Sequence, residues 1–79
     1  MNLDRDAMLK EISNEIDRAK AKYPRFNSNH EGYAVILEEL DELWDAIKAN
    51  KGIRHTPEMV KECIQIAAMA MRFVEDLYE

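Results

Sequence analysis

The hydrophobic pattern divides the chain into three long helical segments and two short polar connections. In the first segment, from Asp4 to Lys22, apolar residues form a narrow stripe at helical spacing, namely Leu9, Ile12, Ile16, Ala19 and Tyr23. The charges between them are mixed in sign, which is typical of a solvated helix face. Pro24 disfavours the α conformation at Tyr23, so the first helix is expected to end there.

A second helix is predicted to begin at Ser28 or Asn29 and to end near Asn50, with Gly52 as the terminating residue. Ser28 and Glu31 match the S-x-x-E capping box, in which the two side chains satisfy free backbone amides at the start of a helix. The capping box therefore offers a structural explanation for Glu31.

This second helix has an apolar face and an acidic face. The apolar stripe is about 120° wide on a helical wheel, and its members are Tyr33, Ile36, Leu37, Leu40, Leu43, Trp44 and Ile47. The spacing predicts that the stripe packs into the core, so Trp44 is interpreted as a core residue and not as a base-stacking platform. The opposite side carries Glu31, Glu38, Glu42 and Asp45, with Glu39 on its flank.

The start of a third helix is marked by Thr56, Pro57 and Glu58, which supply a capping hydroxyl, a proline at the first helical position and an acid in the first turn. The helix should reach about Tyr78. Its middle, residues 66–71, is apolar on all sides, although one side of a three-helix monomer would face water. We therefore predict an all-α chain of three antiparallel helices that associates with itself, as a dimer or tetramer, into four-helix-bundle-like units.

Composition narrows the possible functions. With 79 residues the chain forms one small domain, and its net charge of −5 argues against binding to nucleic acid polymers, which requires a basic surface. No segment resembles a signal peptide or is apolar enough to cross a membrane, so a cytoplasmic protein without a membrane partner is expected. Cys63 is the single cysteine, which excludes a disulfide within the chain, and is interpreted as a small buried hydrophobe.

The acidic excess of the chain is local. Residues 31–45 contain six carboxylates and no Lys or Arg, whereas the whole chain has 16 acids and 11 bases. Like charges three or four residues apart destabilise a helix by roughly 0.2–0.5 kcal/mol per pair. A divalent cation held by oxygen ligands is the simplest compensation for this charge.

A further carboxylate, Glu62, lies early in the otherwise apolar third helix and shares a face with Gln65. A buried carboxylate needs a partner. Because two antiparallel helices with a short connection bring the start of the third helix near the end of the second, Glu62 is expected to point at Glu42 or Glu38.

Two short motifs on these helices resemble those of a known enzyme family. The run EELDE at residues 38–42, followed by ECIQ at residues 62–65, resembles the pattern EExxE and then ExxD of the MazG-type all-α nucleoside triphosphate pyrophosphohydrolases. The surrounding sequence resembles the short MazG-like proteins of phages and prophages, so the likeness covers roughly residues 20–77.

The resemblance implies a Mg²⁺ or Mn²⁺ cofactor and hydrolysis of a (d)NTP to the monophosphate and pyrophosphate. By position, it assigns metal binding to Glu38, Glu42 and Glu62, while Glu39 would bind a second metal or orient the attacking water. Gln65 stands where the family pattern has Asp. Its amide oxygen can still ligate a metal or hold a bound water, but the site has one negative charge fewer.

Two questions stay open at the level of the sequence. Basic residues near the second connection are either contacts for the triphosphate or a solvated basic loop; they are Lys48, Lys51, Arg54, His55 and Lys61.

The alternatives to the enzyme are a noncatalytic MazG-type helical oligomer or regulatory binding protein, which the glutamine at position 65 favours, and an acidic helix that docks a basic partner protein.

Overall fold

The computed structural model describes residues 4–54 and 56–78, which form three α-helices. They are α1 (Arg5–Lys22), α2 (Asn29–Ala49) and α3 (Pro57–Tyr78). The all-α prediction is confirmed, and the helix boundaries agree with the predicted ones to within about a residue. None of the described helices is both long and apolar enough to span a membrane.

Side-chain caps explain where the helices begin. Thr56 Oγ1 accepts a hydrogen bond from Met59 N at 3.3 Å, and Ser28 Oγ accepts one from Glu31 N at 3.0 Å. In the capping-box motif the glutamate accepts a hydrogen bond from the backbone N–H of the capping residue, here Ser28. Glu31 Oε1 instead accepts from the N–H of the preceding residue, Asn27, at 2.7 Å. The expected capping role of Glu31 is therefore confirmed.

The ends of α1 and α2 also follow local rules. Tyr23, which precedes Pro24, is extended with φ −122° and ψ 148°. Gly52 lies in the turn after α2 and adopts φ +80°, a conformation that favours glycine.

Helix α3 lies at the centre of the molecule and packs against both other helices. Within the described ranges, the Cα atoms of α1 and α2 nowhere come within 8 Å of each other. The small core comprises Ile16, Ala19, Phe26, Ala68 and Met69. Because α1 and α2 stand apart on α3, a groove remains between them.

The connection between α1 and α2 is fixed to α3 by a buried ion pair. Arg72 NH2 donates to Asp76 Oδ2 at 3.2 Å, and both side chains are 3% exposed. The same guanidinium donates to Pro24 O at 3.0 Å and lies over the Phe26 ring, while Asp76 Oδ2 accepts from Phe26 N at 3.1 Å. These bonds hold the connection against α3, where Pro24 and Phe26 line the groove.

The prediction that the apolar stripe of α2 packs into the core is wrong for most of its members in the single chain, although Ile36 and Leu43 are half-buried and Ile36 packs against the core. Five of its members are exposed, and we call them the α2 ridge: Tyr33 (63% exposed), Leu37 (38%), Leu40 (49%), Trp44 (56%) and Ile47 (40%). Trp44 is therefore not a core residue of this chain. Cys63 is also exposed, so its interpretation as a buried residue is wrong for the single chain. Helix α2 contacts α3 through the neighbouring side, on which Gly32 is buried and Glu39 and Leu43 are half-buried.

Candidate metal centre

The groove between α1 and α2 has a volume of about 660 Å³ and is floored by α3. All three helices and the first connection contribute to it. Its acidic lining residues are Glu15, Glu31, Glu38, Glu39, Glu42 and Glu62, and its basic ones are Arg18, Lys22, Lys61 and Arg72. A volume of this order is that of a site for a small organic ligand.

Three carboxylates converge at one end of the groove. One oxygen from each of Glu39, Glu42 and Glu62 lies within 4.8 Å of the others. Glu39 and Glu42 are three residues apart and so share a side of α2, and Glu62 faces them from α3. Opposite ligands of a Mg²⁺ ion at ~2.1 Å are ~4.2 Å apart, so this spacing is close to that of a cation-binding set.

Glu62 is the most buried member of this cluster. Glu62 is only 8% exposed, and its Oε2 atom has no hydrogen-bond partner. Burial, which is the largest cause, and the hydrogen bond and charge of Glu42 together raise the pKa of Glu62 from 4.5 to about 7, while the charge of Lys61 opposes them. An unpartnered carboxylate oxygen at this depth is costly unless a proton or a cation satisfies it.

Glu39 experiences the same environment from the α2 side. Burial, which is the largest cause, and the charges of Glu42 and Glu62 together raise the pKa of Glu39 from 4.5 to about 7. Two carboxyl groups of the cluster therefore change protonation near neutral pH. Such a group can exchange its proton for a cation or act as a base under ordinary conditions.

The residues predicted from the motifs occupy this groove, in an arrangement that the sequence did not specify. Glu38 and Gln65 line the groove together with the cluster, but Glu38 is not one of the three converging carboxylates. Glu39 occupies that place, because α2 meets α3 through the flank on which Glu39 lies. Glu62 faces Glu42, one of the two partners expected for it.

The basic residues divide differently from the prediction. Lys61 lines the groove, whereas Lys48, Lys51 and Arg54 are not among its lining residues. Lys48 instead pairs with Asp45 at 3.4 Å on the exposed side of α2. His55 lies outside the described residues.

Sequence reasoning missed Arg18, Lys22 and Arg72 as lining residues. Arg18, which pairs with Glu15, and Lys22 are four residues apart on α1, among mixed charges that are typical of a solvated face. Ala19 beside Arg18 is buried in the core, and this contact turns that side of α1 towards the groove. For Arg72, the signal available in the sequence was an Arg and an Asp spaced i, i+4 in an apolar helix.

Comparison with known proteins does not identify a relative. No family model matches the chain, and no significant match is found among the curated proteins or the solved structures.

Proposed function

We propose that the chain is a Mg²⁺- or Mn²⁺-dependent nucleotide pyrophosphohydrolase that converts a (d)NTP to the (d)NMP and pyrophosphate. The observation that carries the proposal is the buried, unpartnered Oε2 of Glu62, which lies in a cluster with Glu39 and Glu42. A cation would satisfy this oxygen and offset the repulsion among three carboxylates. The choice of reaction rests on the resemblance of the two acidic motifs to the MazG-type enzymes.

The roles assigned to the cluster combine its geometry with what the resemblance implies. Glu42 and Glu62 approach from different helices and would hold the cation, which polarises phosphate oxygens and lowers the pKa of a bound water when present. Glu39 lies beside these two carboxylates, and by its place in the motif it would orient the attacking water or bind a second cation. Glu38 and Gln65 line the same groove and are outer ligands in this proposal.

The rest of the groove suits a nucleoside triphosphate. Lys61 lies beside Glu62 in the sequence, and Arg18 and Lys22 face the groove from α1, so positive charges stand near the carboxylate cluster. A triphosphate bound to a cation needs both kinds of partner. Apolar lining by Val35 and Met69 provides a surface for the uncharged part of the ligand.

A noncatalytic helical oligomer or binding protein is the second candidate. It is favoured by Gln65, which removes one carboxylate from the motif, and by the exposed α2 ridge, which is suited to binding another protein. Such a protein would still bind a cation at the carboxylate cluster but would not hydrolyse nucleotides.

The test is a panel of NTPs and dNTPs with Mg²⁺ or Mn²⁺, scored for pyrophosphate release. Glu42→Gln and Glu62→Gln should abolish release, whereas Asp41→Asn is the matched control because Asp41 lies in the same acidic run but does not line the groove. The enzyme proposal fails if no nucleotide is hydrolysed. If the ions nevertheless raise the melting temperature, and do so less in Glu62→Gln, the noncatalytic candidate is supported.

A further inference from the structure

Helix α1 contributes a carboxylate to the groove, well withdrawn from water. Within the part of the chain that the structure describes, Glu15 is the one acidic residue of α1 that lines the groove. Its side chain is only 13% exposed, although the other charged residues of α1 are exposed. A carboxylate with so little access to water needs hydrogen-bond donors for both of its oxygens.

The other acidic lining residues already have partners or a place in the proposed metal site. The carboxylate cluster and Glu38 belong to that site. Both oxygens of Glu31 accept hydrogen bonds from Asn27, one from its backbone N–H and one from its side-chain amide. Glu15 is therefore the acidic lining residue whose place in the groove neither the metal centre nor a helix cap explains.

Glu15 forms a pair with Arg18, which also lines the groove. Arg18 NH2 donates to Glu15 Oε1, and none of the described residues donates to Glu15 Oε2. The Arg18 side chain is 69% exposed, so its remaining N–H groups can reach a ligand. Together the two side chains present three groups in a row, namely a guanidinium donor, the acceptor Oε1 and the acceptor Oε2.

The Glu15–Arg18 pair stands some way along the groove from the carboxylate cluster. Ile16, the neighbour of Glu15, packs in the core with Ala68 of α3. Glu62 precedes Ala68 by six residues, which corresponds to ~9 Å along a helix. This separation is comparable to the length of a nucleoside, so a nucleotide with its phosphates at the cluster would bring its base to the level of Glu15.

The surface at this level is apolar and suits a flat ring. Met69, which follows Ala68, lines the groove and is buried, and Val35 lines it from α2 and is half-buried. A thioether makes favourable contacts with aromatic rings. An apolar floor with a few polar groups at its edge is the usual construction of a site for an aromatic ligand.

We propose that Glu15 and Arg18 recognise the base of the nucleotide and select guanine. This inference rests on the proposed function, in which the carboxylate cluster holds the cation and the phosphates. The edge of guanine presents the acceptor O6 and the donors N1–H and N2–H, in that order. It complements the row of guanidinium donor, Oε1 and Oε2, so each oxygen of Glu15 receives a hydrogen bond from the base.

The other bases do not match this row. In the same orientation, adenine and cytosine set a ring nitrogen, which is an acceptor, against Oε1, while thymine and uracil set a carbonyl oxygen against Oε2. A site built to hydrogen-bond a ligand rejects ligands that leave its polar groups unpaired. One well-placed bidentate contact to a base discriminates by roughly tenfold to a hundredfold.

The test compares dGTP with dITP, whose base lacks only the 2-amino group of guanine. We expect kcat/KM for pyrophosphate release to be roughly tenfold higher for dGTP in the wild type. Glu15→Gln, which replaces one acceptor by a donor, should bring the ratio of the two values close to one. Glu11→Gln is the matched control, one turn earlier on α1 at an exposed position outside the lining, and should keep the wild-type ratio.

The ratio compares two substrates within one variant, so a general loss of stability does not change it. Titration calorimetry with dGMP and dIMP, which a pyrophosphohydrolase does not hydrolyse, measures base binding apart from catalysis. Here too the wild type and Glu11→Gln should bind dGMP more tightly than dIMP, and Glu15→Gln should bind the two equally.

The outcomes separate this inference from the proposed function. Equal hydrolysis of dGTP and dITP by the wild type, or an unchanged ratio in Glu15→Gln, would overturn guanine selection and leave the proposed function standing. If no nucleotide is hydrolysed, the proposed function fails. The base site is then still supported by a preference for dGMP over dIMP that Glu15→Gln abolishes, and it is overturned if the wild type shows no such preference.

Discussion

Gly32 of α2 lies so close to Phe73 of α3 that a Cβ atom at Gly32 would stand 2.5 Å from Phe73 Cδ2. Atoms cannot approach so closely without movement, so the absence of a side chain at Gly32 permits the short distance between the two helices. Glu39 follows about two turns later on α2. The glycine therefore contributes to the distance at which the carboxylates of α2 face Glu62.

We predict that Gly32→Ala destabilises the protein. In an exposed helix the change would stabilise by up to ~1 kcal/mol, whereas overpacking typically costs about 1–3 kcal/mol. A net loss of up to ~2 kcal/mol is therefore expected in urea unfolding. The double variant Gly32→Ala, Phe73→Leu should recover part of that loss, because the ring is what the new methyl group meets. A gain of stability in the single variant would contradict the close packing.

The buried pair of Arg72 and Asp76 predicts a large effect for Asp76→Asn. This change leaves the Arg72 guanidinium buried without its counter-charge and weakens the bond to Phe26 N, so a loss of about 3–5 kcal/mol in unfolding free energy is expected. Lys48→Met is the control, since it breaks an exposed pair worth at most about 1 kcal/mol. Similar losses from the two variants would argue against a buried pair that anchors the connection.

Stability without metal should depend on pH through Glu39 and Glu62. Their pKa values in the folded chain are raised from 4.5 to about 7, so between these values the folded chain holds protons that the unfolded chain has released. Stability from this source is present below pH 4.5 and is lost as the pH rises through about 7. The melting temperature in EDTA should therefore fall from pH 5 to pH 8.

The matched variant for this pH profile is Glu62→Gln, which removes one of the titrating groups and relieves Glu39 of a neighbouring charge. Its melting temperature should change less across the same range. Mg²⁺ or Mn²⁺ should stabilise the wild type most at the alkaline end, where the carboxylates are ionised. An equal slope in both proteins would show that other groups control the pH dependence.

The position of the basic residues predicts which of them affect substrate binding. Lys61→Gln and Lys22→Gln should each raise KM for a nucleoside triphosphate several-fold, because these side chains line the groove that contains the carboxylates. Lys48→Gln should leave KM unchanged, since Lys48 lies outside the lining and pairs with Asp45. Steady-state pyrophosphate release gives KM for all three variants. A rise in KM confined to Lys48→Gln would indicate that the substrate binds outside this groove.

Much of the fold could be predicted from the sequence because the signals are local. The capping hydroxyls of Ser28 and Thr56 and the ring of Pro24 act within a few residues, and each marks a helix boundary that the structure reproduces. The three converging carboxylates were also named beforehand as candidate ligands or base. Glu39 and Glu42 belong to a local excess of acidic charge, Glu62 is a carboxylate in an otherwise apolar helix, and their roles come from the resemblance to the MazG-type motifs.

The sequence by itself determined the helices and the two faces of α2, but only the tertiary structure decided which side of α2 meets α3. Helical periodicity defines faces and does not say which one a neighbour will cover. Because α2 turns the flank with Gly32 and Glu39 towards α3, Glu39 joins the cluster and Trp44 remains in water. The contribution of Arg18 and Arg72 to one groove likewise required α1 to pack on α3, a contact between residues about fifty positions apart.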